Sequence, residues 1–159
     1  MMIKVRLQIG DGDIVDTIDG YGLVYLSSDN VFQAPLKAFA TTNYAEENGE
    51  HSSNKTTLDA FDYKVEFLVR ANGKVENANA TIANFNSLLY TQEKNSDIKV
   101  FKEVSFYNDY KKVLIVGRPS LINEAREFWR DANGLCHDVV KVEWVIRVSN
   151  PSKCNFNLE

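Results

Sequence analysis

Cys136, His137 and Asp138 are the residues of this chain whose types could support nucleophilic catalysis, as a thiol, a base and a carboxylate. Three consecutive residues cannot form a triad by themselves, because neighbouring side chains of a strand point to opposite faces. Activation of the thiol would require a distant group such as His51. A structural cysteine is the favoured interpretation, and we expect no catalytic residue.

Metal binding would need ligands at spacings that the chain does not offer. Zinc would require three or four ligands, and the candidates are Cys136, His137, Cys154 and His51. None of them forms the closely spaced pairs that usually supply zinc ligands. Calcium is suggested by a turn region that contains Asp11, Asp13, Asp16 and Asp19. These aspartates lack the spacing through to a bidentate glutamate, so we predict a solvated acidic turn and no metal site.

The chain has no glycine-rich phosphate-binding motif and no GxSxG element, so dinucleotide, P-loop and serine-hydrolase functions lack their parts. Its 22 acidic residues offer many carboxylate pairs without favouring one. We therefore expect neither a cofactor nor an enzymatic activity.

An aromatic stripe at Phe61, Tyr63 and Phe67 has two interpretations. It could form a platform for stacking bases or sugars. Strand alternation and the lack of basic neighbours favour a place in the core. Exposure of Tyr63 and Phe67, together with Trp129 or Trp144, would favour a binding module.

Composition indicates one globular domain over residues 1–159, because a chain of 159 residues can bury a sufficient core. The net charge is −4, from 18 basic and 22 acidic residues, which argues against nucleic-acid binding. No segment approaches the ~20 apolar residues of a membrane span. The two cysteines form no CxxC pair and no signal peptide is evident, which indicates a reducing cytoplasm.

Alternation of apolar and polar residues predicts strands at 3–9, 21–26 and 61–69, and a last long strand at 139–148. Leu36 to Tyr44 predicts a further strand after Pro35. Asn108-Asp109 predicts a hairpin between segments 98–107 and 110–117. Residues 123–131 are expected to form a short helix or an ordered loop, and residues 150–159 to fray.

One convincing helix is predicted at about 79–91, since Ile82, Phe85 and Leu89 recur at spacings of three and four. Asn77 or Asn79 is expected to cap its first turn. Because a single helix separates strands, repeated βαβ units are absent. The predicted fold is α+β, a largely antiparallel β-sandwich or split barrel with one principal flanking helix.

The segment 45–57 contains no aliphatic residue larger than alanine, so it is predicted to be a long exposed loop. It is our candidate for a partner-contacting segment that becomes ordered on assembly, and a disordered surface loop is the equal alternative. The candidate contact residues are Tyr44, Glu46, Glu47, His51 and Lys55.

With these elements placed, the chain resembles the N-terminal domain of phage distal tail proteins and related tail-tube or baseplate components. The resemblance covers about residues 20–148. It lies in Tyr21 to Ser27, Pro35, the polar loop reaching Gly49, Thr57 to Asp59, Phe61 to Val69, Phe85 to Leu89 and Val113 to Arg118. The loop before Thr57 is longer than usual in that family, and many members carry an additional C-terminal domain.

The resemblance implies a split-barrel structural protein of a phage or prophage tail that forms a homomeric ring, a hexamer being one form, with tail or baseplate proteins as neighbours. It implies a cytoplasmic location in a bacterial host and then the virion tail. The long strands 3–9 and 139–148 are expected to leave edges free for pairing between copies. The alternative function is a sugar- or protein-binding β module with an exposed aromatic face.

Overall fold

Two ten-residue strands form the centre of the fold in a computed structural model that describes residues 4–37, 41–42, 51–52, 56–71, 73–127 and 139–158. They pair antiparallel without interruption, from Phe61 opposite Val148 to Arg70 opposite Val139. Every second residue of each strand points into the core, as the alternating sequences predict.

In chain order the elements are β1 (Arg6–Ile9), β2 (Val15–Asp16), α1 (Thr17–Tyr21), β3 (Leu23–Ser28), β4 (Thr41–Thr42), β5 (His51–Ser52), β6 (Phe61–Arg70), α2 (Val75–Leu88), β7 (Tyr90–Gln92), β8 (Lys99–Phe101), β9 (Val104–Asn108), β10 (Val113–Pro119), β11 (Ala125–Glu127), β12 (Val139–Val148) and a 3-10 turn (Pro151–Lys153). The main sheet has the order β2-β1-β9-β10-β12-β6-β3, and β11 also pairs with β12. Two small sheets, β4-β5 and β7-β8, lie outside it.

Strand β10 joins the two halves of the main sheet. Its residues 113–117 pair with β9, whereas Arg118 and Pro119 pair with β12. Gly117 lies at this change of partner, and a Cβ there would overlap the backbone carbonyl of Arg147. The absence of a side chain therefore lets β10 cross closely over β12.

The inner faces of the two halves pack on each other. Phe106 of β9 contacts Tyr63 of β6 and Tyr25 of β3, with ring centroids 6.2 and 6.4 Å apart. On β12, Trp144 lies between Phe67 and Phe85, and its ring meets that of Phe85 edge-on at 5.3 Å. The helix α2 thus covers an end of the core through Phe85, as the helical spacing predicts.

The predicted α+β class is confirmed: the paired strands of the described residues are antiparallel, and α2 is the principal helix. The strands predicted at 61–69 and 139–148 are confirmed almost residue for residue. The predicted hairpin around Asn108 is confirmed as β9-β10, with its turn at residues 109–112. Residues 99–101 belong instead to β8, which pairs with β7.

Both ends of the helix were predicted wrongly. It ends at Leu88, and Tyr90 and Thr91 belong to β7. α2 begins at Val75, and Lys74 occupies the N-cap position without a side-chain hydrogen bond. The side-chain nitrogen Nδ2 of Asn77 donates to the Ala71 carbonyl at 2.9 Å, which ties the first turn of the helix to the end of β6. A contact with the preceding strand therefore replaces the predicted cap.

Two further predictions were wrong at the chain's C-terminal side. Within the segment 123–131, predicted to form a short helix or an ordered loop, residues 125–127 form a strand on β12, and residues 128–131 lie outside the described residues. Residues 151–158, predicted to fray, include the 3-10 turn and an Asn155 bridge to Leu114. Phe156 packs against the core beside Phe61, and this apolar contact holds the segment in place.

We expect Gly117→Ala to lower the free energy of unfolding by about 1–3 kcal/mol, because the new methyl group forces β10 away from the Arg147 carbonyl. Gly12→Ala is the matched control, since its nearest neighbour, the Ile9 carbonyl, would lie 3.1 Å from the new Cβ. Urea unfolding of both variants measures the difference. Equal stability of the two variants would contradict the close crossing.

Candidate functional site

The free edge of the main sheet is the feature most suited to contact with another chain. β3 is the terminal strand and pairs only with β6 within the described residues. The register shifts between Tyr25 and Ser27, so Leu26 sits in a bulge and is 40% exposed. A terminal strand presents unpaired N–H and C=O groups to which another strand can bind.

The edges expected from the sequence were predicted wrongly. β12 has β6 along one side and both β10 and β11 along the other. β1 lies between β9 and β2. β2 itself has two residues and continues into α1, which limits pairing at that end of the sheet.

A polar network beneath β3 holds this edge strand onto the other half of the sheet. The Tyr63 hydroxyl donates to Ser28 Oγ at 2.9 Å, and the hydroxyls of Tyr25 and Ser28 are 2.8 Å apart. Asn108 Nδ2 donates to the Tyr25 hydroxyl at 3.1 Å. Lys111 Nζ donates to the Ser28 carbonyl at 2.8 Å. Each of these side chains has a partner, so the network stabilises the closed fold without leaving a buried group unsatisfied.

Burial raises the pKa of Tyr63 to about 12, although its bond to Ser28 acts in the opposite direction. The hydroxyl therefore stays protonated at neutral pH and remains a donor. A donor of this kind is suited to holding a strand rather than to proton transfer, which needs a pKa near the working pH.

Sequence reasoning missed Ser28, Asn108 and Lys111. One signal was available: Asn108 continues the alternation of Val104 and Phe106, which places its amide on the inner face of β9. An amide at such a position must find hydrogen-bond partners, and here it bonds to Tyr25 and to the Lys111 amide nitrogen. The partners come from distant segments, so the sequence could not identify them.

A second element, which follows β3 in the chain, is a two-stranded arm formed by described residues on both sides of residues 43–50. Leu36 bridges to Leu58, the Lys37 amide donates to the Thr57 carbonyl at 2.9 Å, and β4 pairs with β5. Thr41 is opposite Ser52 in this pairing. Residues 36–37 and 41–42 therefore run antiparallel to residues 57–58 and 51–52.

The predicted contact loop falls largely outside the described residues. Tyr44, Glu46, Glu47 and Lys55 are among the residues that the structure does not describe. His51 lies in β5, opposite Thr42. The segment 45–57 is thus partly a strand, because backbone pairing across the arm replaces the apolar contacts that the segment lacks.

Large apolar side chains are exposed on β3, on the arm and on the segment between them. Phe32 is 86% exposed, and the others are Leu26, Leu36 and Leu58. Five other large apolar side chains of the described residues are exposed elsewhere in the chain: Ile14, Leu88, Ile98, Val100 and Tyr110.

The aromatic stripe lies in the core, as the favoured interpretation predicts. Tyr63, Phe67 and Trp144 are completely buried, and Phe61 is partly buried against the core. Trp129 lies outside the described residues. The binding-module hypothesis therefore loses the three described aromatics on which it depended.

The groups considered for catalysis and metal binding are only partly described. Cys136, His137 and Asp138 lie outside the described residues. Burial raises the pKa of the Cys154 thiol, which opposes formation of a reactive thiolate.

Asp16, one of the four aspartates considered for calcium, accepts a hydrogen bond from the Ile18 amide at 2.8 Å and caps α1. Within the described part of the chain, no group of three potential metal ligands occurs. No helix described in the structure combines the length and apolar character required to cross a membrane.

Comparison with known proteins gives a structural similarity only. No protein-family model matches the chain, and no curated protein sequence matches it. The fold is similar to that of the Dit protein of phage SPP1, with a TM-score of 0.54 and 16% sequence identity. The similarity covers 92% of this chain and 50% of the Dit chain, so this chain spans about half the length of that protein.

The Dit protein, known from its crystal structure, is described as a paradigm of the hub adsorption apparatus in Gram-positive infecting phages. At this level of identity the similarity establishes a shared fold. The predicted resemblance to phage tail proteins is therefore confirmed at the level of the fold.

We expect Tyr63→Phe to lower the free energy of unfolding by about 1 kcal/mol, because Ser28 loses a buried donor. The variant should also reduce the alkaline sensitivity of the protein. The raised pKa of Tyr63 means that its contribution to stability is complete below pH 10 and is lost as the pH rises towards about 12.

Urea unfolding at pH 7 and at several values between pH 10 and 12 tests both effects. Tyr110→Phe is the control, since that side chain is largely exposed. If the two variants have the same stability and the same pH dependence, the network does not hold β3.

Proposed function

We propose that this chain is a non-enzymatic structural component of a phage or prophage tail, of the distal-tail or tail-tube type, and that it assembles into a homomeric ring. The observation that carries the proposal is the similarity of fold to a phage hub protein over 92% of the chain. A fold alone does not define a function, so the proposal also depends on surfaces suited to assembly.

The edge of β3 supports assembly between copies. This strand has no second neighbour within the described residues, and its inner side is fixed by the polar network through Ser28. A fixed edge loses little conformational entropy when another strand binds to it. Ring closure needs two different surfaces on each copy, and the β3 edge supplies one of them.

The arm supports contact with other tail or baseplate proteins. Its base exposes Leu36 and Leu58 directly opposite each other. Cross-strand apolar pairs of this kind gain stability when a partner covers them. Tyr44, Glu46, Glu47, His51 and Lys55 remain the proposed contact residues of this segment.

The non-enzymatic part of the proposal rests on how the described polar groups are used. The tyrosine with the most strongly raised pKa belongs to a packing network, and the half-buried Cys154 is held as a thiol. The protein is proposed to be made in the cytoplasm of a bacterial host and then to enter the virion tail, without a cofactor and without binding a specific nucleic acid.

Light scattering during size-exclusion chromatography, over a wide range of concentration, tests the ring proposal. We expect a closed oligomer of defined mass, such as a hexamer. Leu26→Lys should raise the concentration needed for half-assembly by roughly tenfold or more, because a lysine on an edge strand opposes pairing.

Leu88→Lys is the matched control, with the same substitution at a residue on α2 that is 44% exposed, against 40% for Leu26. Both variants should keep their thermal stability, since surface substitutions usually change it little. Monomers at every concentration would contradict the ring and favour the binding-module alternative. Equal assembly of the two variants would contradict the role of the β3 edge.

A further inference from the structure

The segment 151–158, which we call the strap, covers the edge of β10 that faces away from β9. The Leu114 amide donates to the Asn155 carbonyl at 2.7 Å, and the Asn155 amide donates back to the Leu114 carbonyl at 2.9 Å. The Leu158 amide donates to the Lys112 carbonyl at 2.8 Å. Backbone groups of a strand point alternately to its two sides, so these residues of β10 direct theirs to the strap. The strap thus acts as a short additional strand of the sheet.

Two apolar side chains anchor the strap to the rest of the protein. Pro151 is buried, and the ring of Phe156 packs on that of Phe61 with the centroids 6.4 Å apart. Lys153 Nζ also lies 2.9 Å from Glu103 Oε2, in an ion pair whose two side chains are about half exposed. A segment held by a short ladder and a small buried area opens at a lower free energy than the core of a protein. The strap can therefore leave β10 while the core stays folded.

An exposed link of two residues, Ser149 and Asn150, joins the strap to the end of β12. The strap is held by contacts with Glu103, with Phe61 and with β10, all of which are distant from this link in the sequence. Rotation at the link would carry the strap away from β10 and leave the pairing of β12 with β6 intact. The link is therefore suited to act as a hinge.

A cleft of about 240 Å³ connects the strap to the part of the chain that follows β3. Its lining includes Phe156 of the strap and Val113 of β10, together with Val31 and Phe32. Phe32 is 86% exposed, which is the largest exposure among the apolar side chains of the described residues. The strap and the residues that follow the edge strand β3 therefore share one surface.

We propose that copies of this chain exchange their straps, so that residues 151–158 of one copy bind β10 of the next copy. The fit of the strap to its site is given by the structure, because β10 holds the same segment within one chain. Exchange of an identical element between copies keeps its contacts and costs little free energy.

The inference rests on the proposed self-assembly and adds to it a contact separate from the β3 edge. The strap and the edge of β10 are different surfaces of one molecule, so each copy can donate to one neighbour and accept from the other, as a ring requires. Within a single chain the strap has a high effective concentration at its own site. Exchange therefore accompanies assembly, when contact through the β3 edge holds two copies together.

A carbodiimide cross-link between Lys153 and Glu103 identifies the copy on which each strap lies, because the two side chains already form an ion pair. The lysine nitrogen forms an amide bond with the glutamate carboxyl carbon, and the carbodiimide takes up the water that is lost and becomes a urea. Oligomers are assembled from equal amounts of unlabelled and heavy-isotope-labelled monomers, cross-linked and digested. We expect mass spectrometry to find light-heavy peptide pairs as often as the two unmixed kinds together.

The matched control is the ion pair of Lys141 with Glu66 in the same oligomers. It joins β12 to β6 at 3.3 Å, and neither strand belongs to the exchanged segment. Its cross-link should give unmixed pairs only.

The same cross-link made in dilute monomers fixes each strap on its own chain. We expect these cross-linked monomers to lose assembly when they are concentrated, as measured by light scattering. Glu103→Gln treated in the same way is the control, because it has the same exposed position and lacks the carboxyl that forms the cross-link. It should still assemble, since an exposed ion pair contributes little to stability. Equal assembly of treated wild type and treated Glu103→Gln would contradict the exchange.

The outcomes separate this inference from the proposed function. If the wild type assembles and the Lys153–Glu103 pairs are all unmixed, the exchange is wrong while the ring proposal stands. If mixed pairs occur in a species with the mass of two copies, the exchange is right and the ring proposal fails. If the wild type is monomeric at every concentration and gives only unmixed pairs, both fail.

Discussion

The structure depends on the uninterrupted pairing of β6 with β12 over ten residues. This register assigns every side chain of the two strands to one of two faces, because alternate residues of a strand point in opposite directions. The inner face receives Tyr63, Phe67 and Trp144, on which α2 and the other half of the sheet pack. The outer face receives the charged residues in fixed opposition. Core, helix position and surface charge therefore follow from one pairing, and a shift by one residue would exchange the two faces.

Two local features bring the halves of this sheet together and leave the outer edge of β3 unpaired within the described residues. Gly117 allows β10 to change partner from β9 to β12, which brings the halves of the sheet together. The network around Ser28 then holds β3 against the hairpin between β9 and β10. Burial of these polar groups is tolerated because each has a partner. The result is an edge strand that is rigid on its inner side and unpaired, within the described residues, on its outer side.

Much of this fold could be predicted from the sequence, because the long strands alternate strictly and the helix buries Ile82, Phe85 and Leu89. Features that depend on contacts between distant segments could not. β11 is a strand because β12 offers it an edge, and the last residues are held by Phe156 against Phe61. The free edge was assigned to the wrong strands, since alternation predicts a strand without giving its neighbours. The like charges that face each other across β12, such as Arg118 opposite Arg147, likewise become visible only once the register is known.

We propose that the edge of β3 helps to join copies of the chain into a closed ring. Negative-stain electron microscopy of the wild-type protein, fixed by mild cross-linking at high concentration, tests it most directly. We expect particles of uniform diameter with a central opening and a constant number of subunits. Fields that contain only particles of single-copy size, or open filaments of variable length, would contradict it.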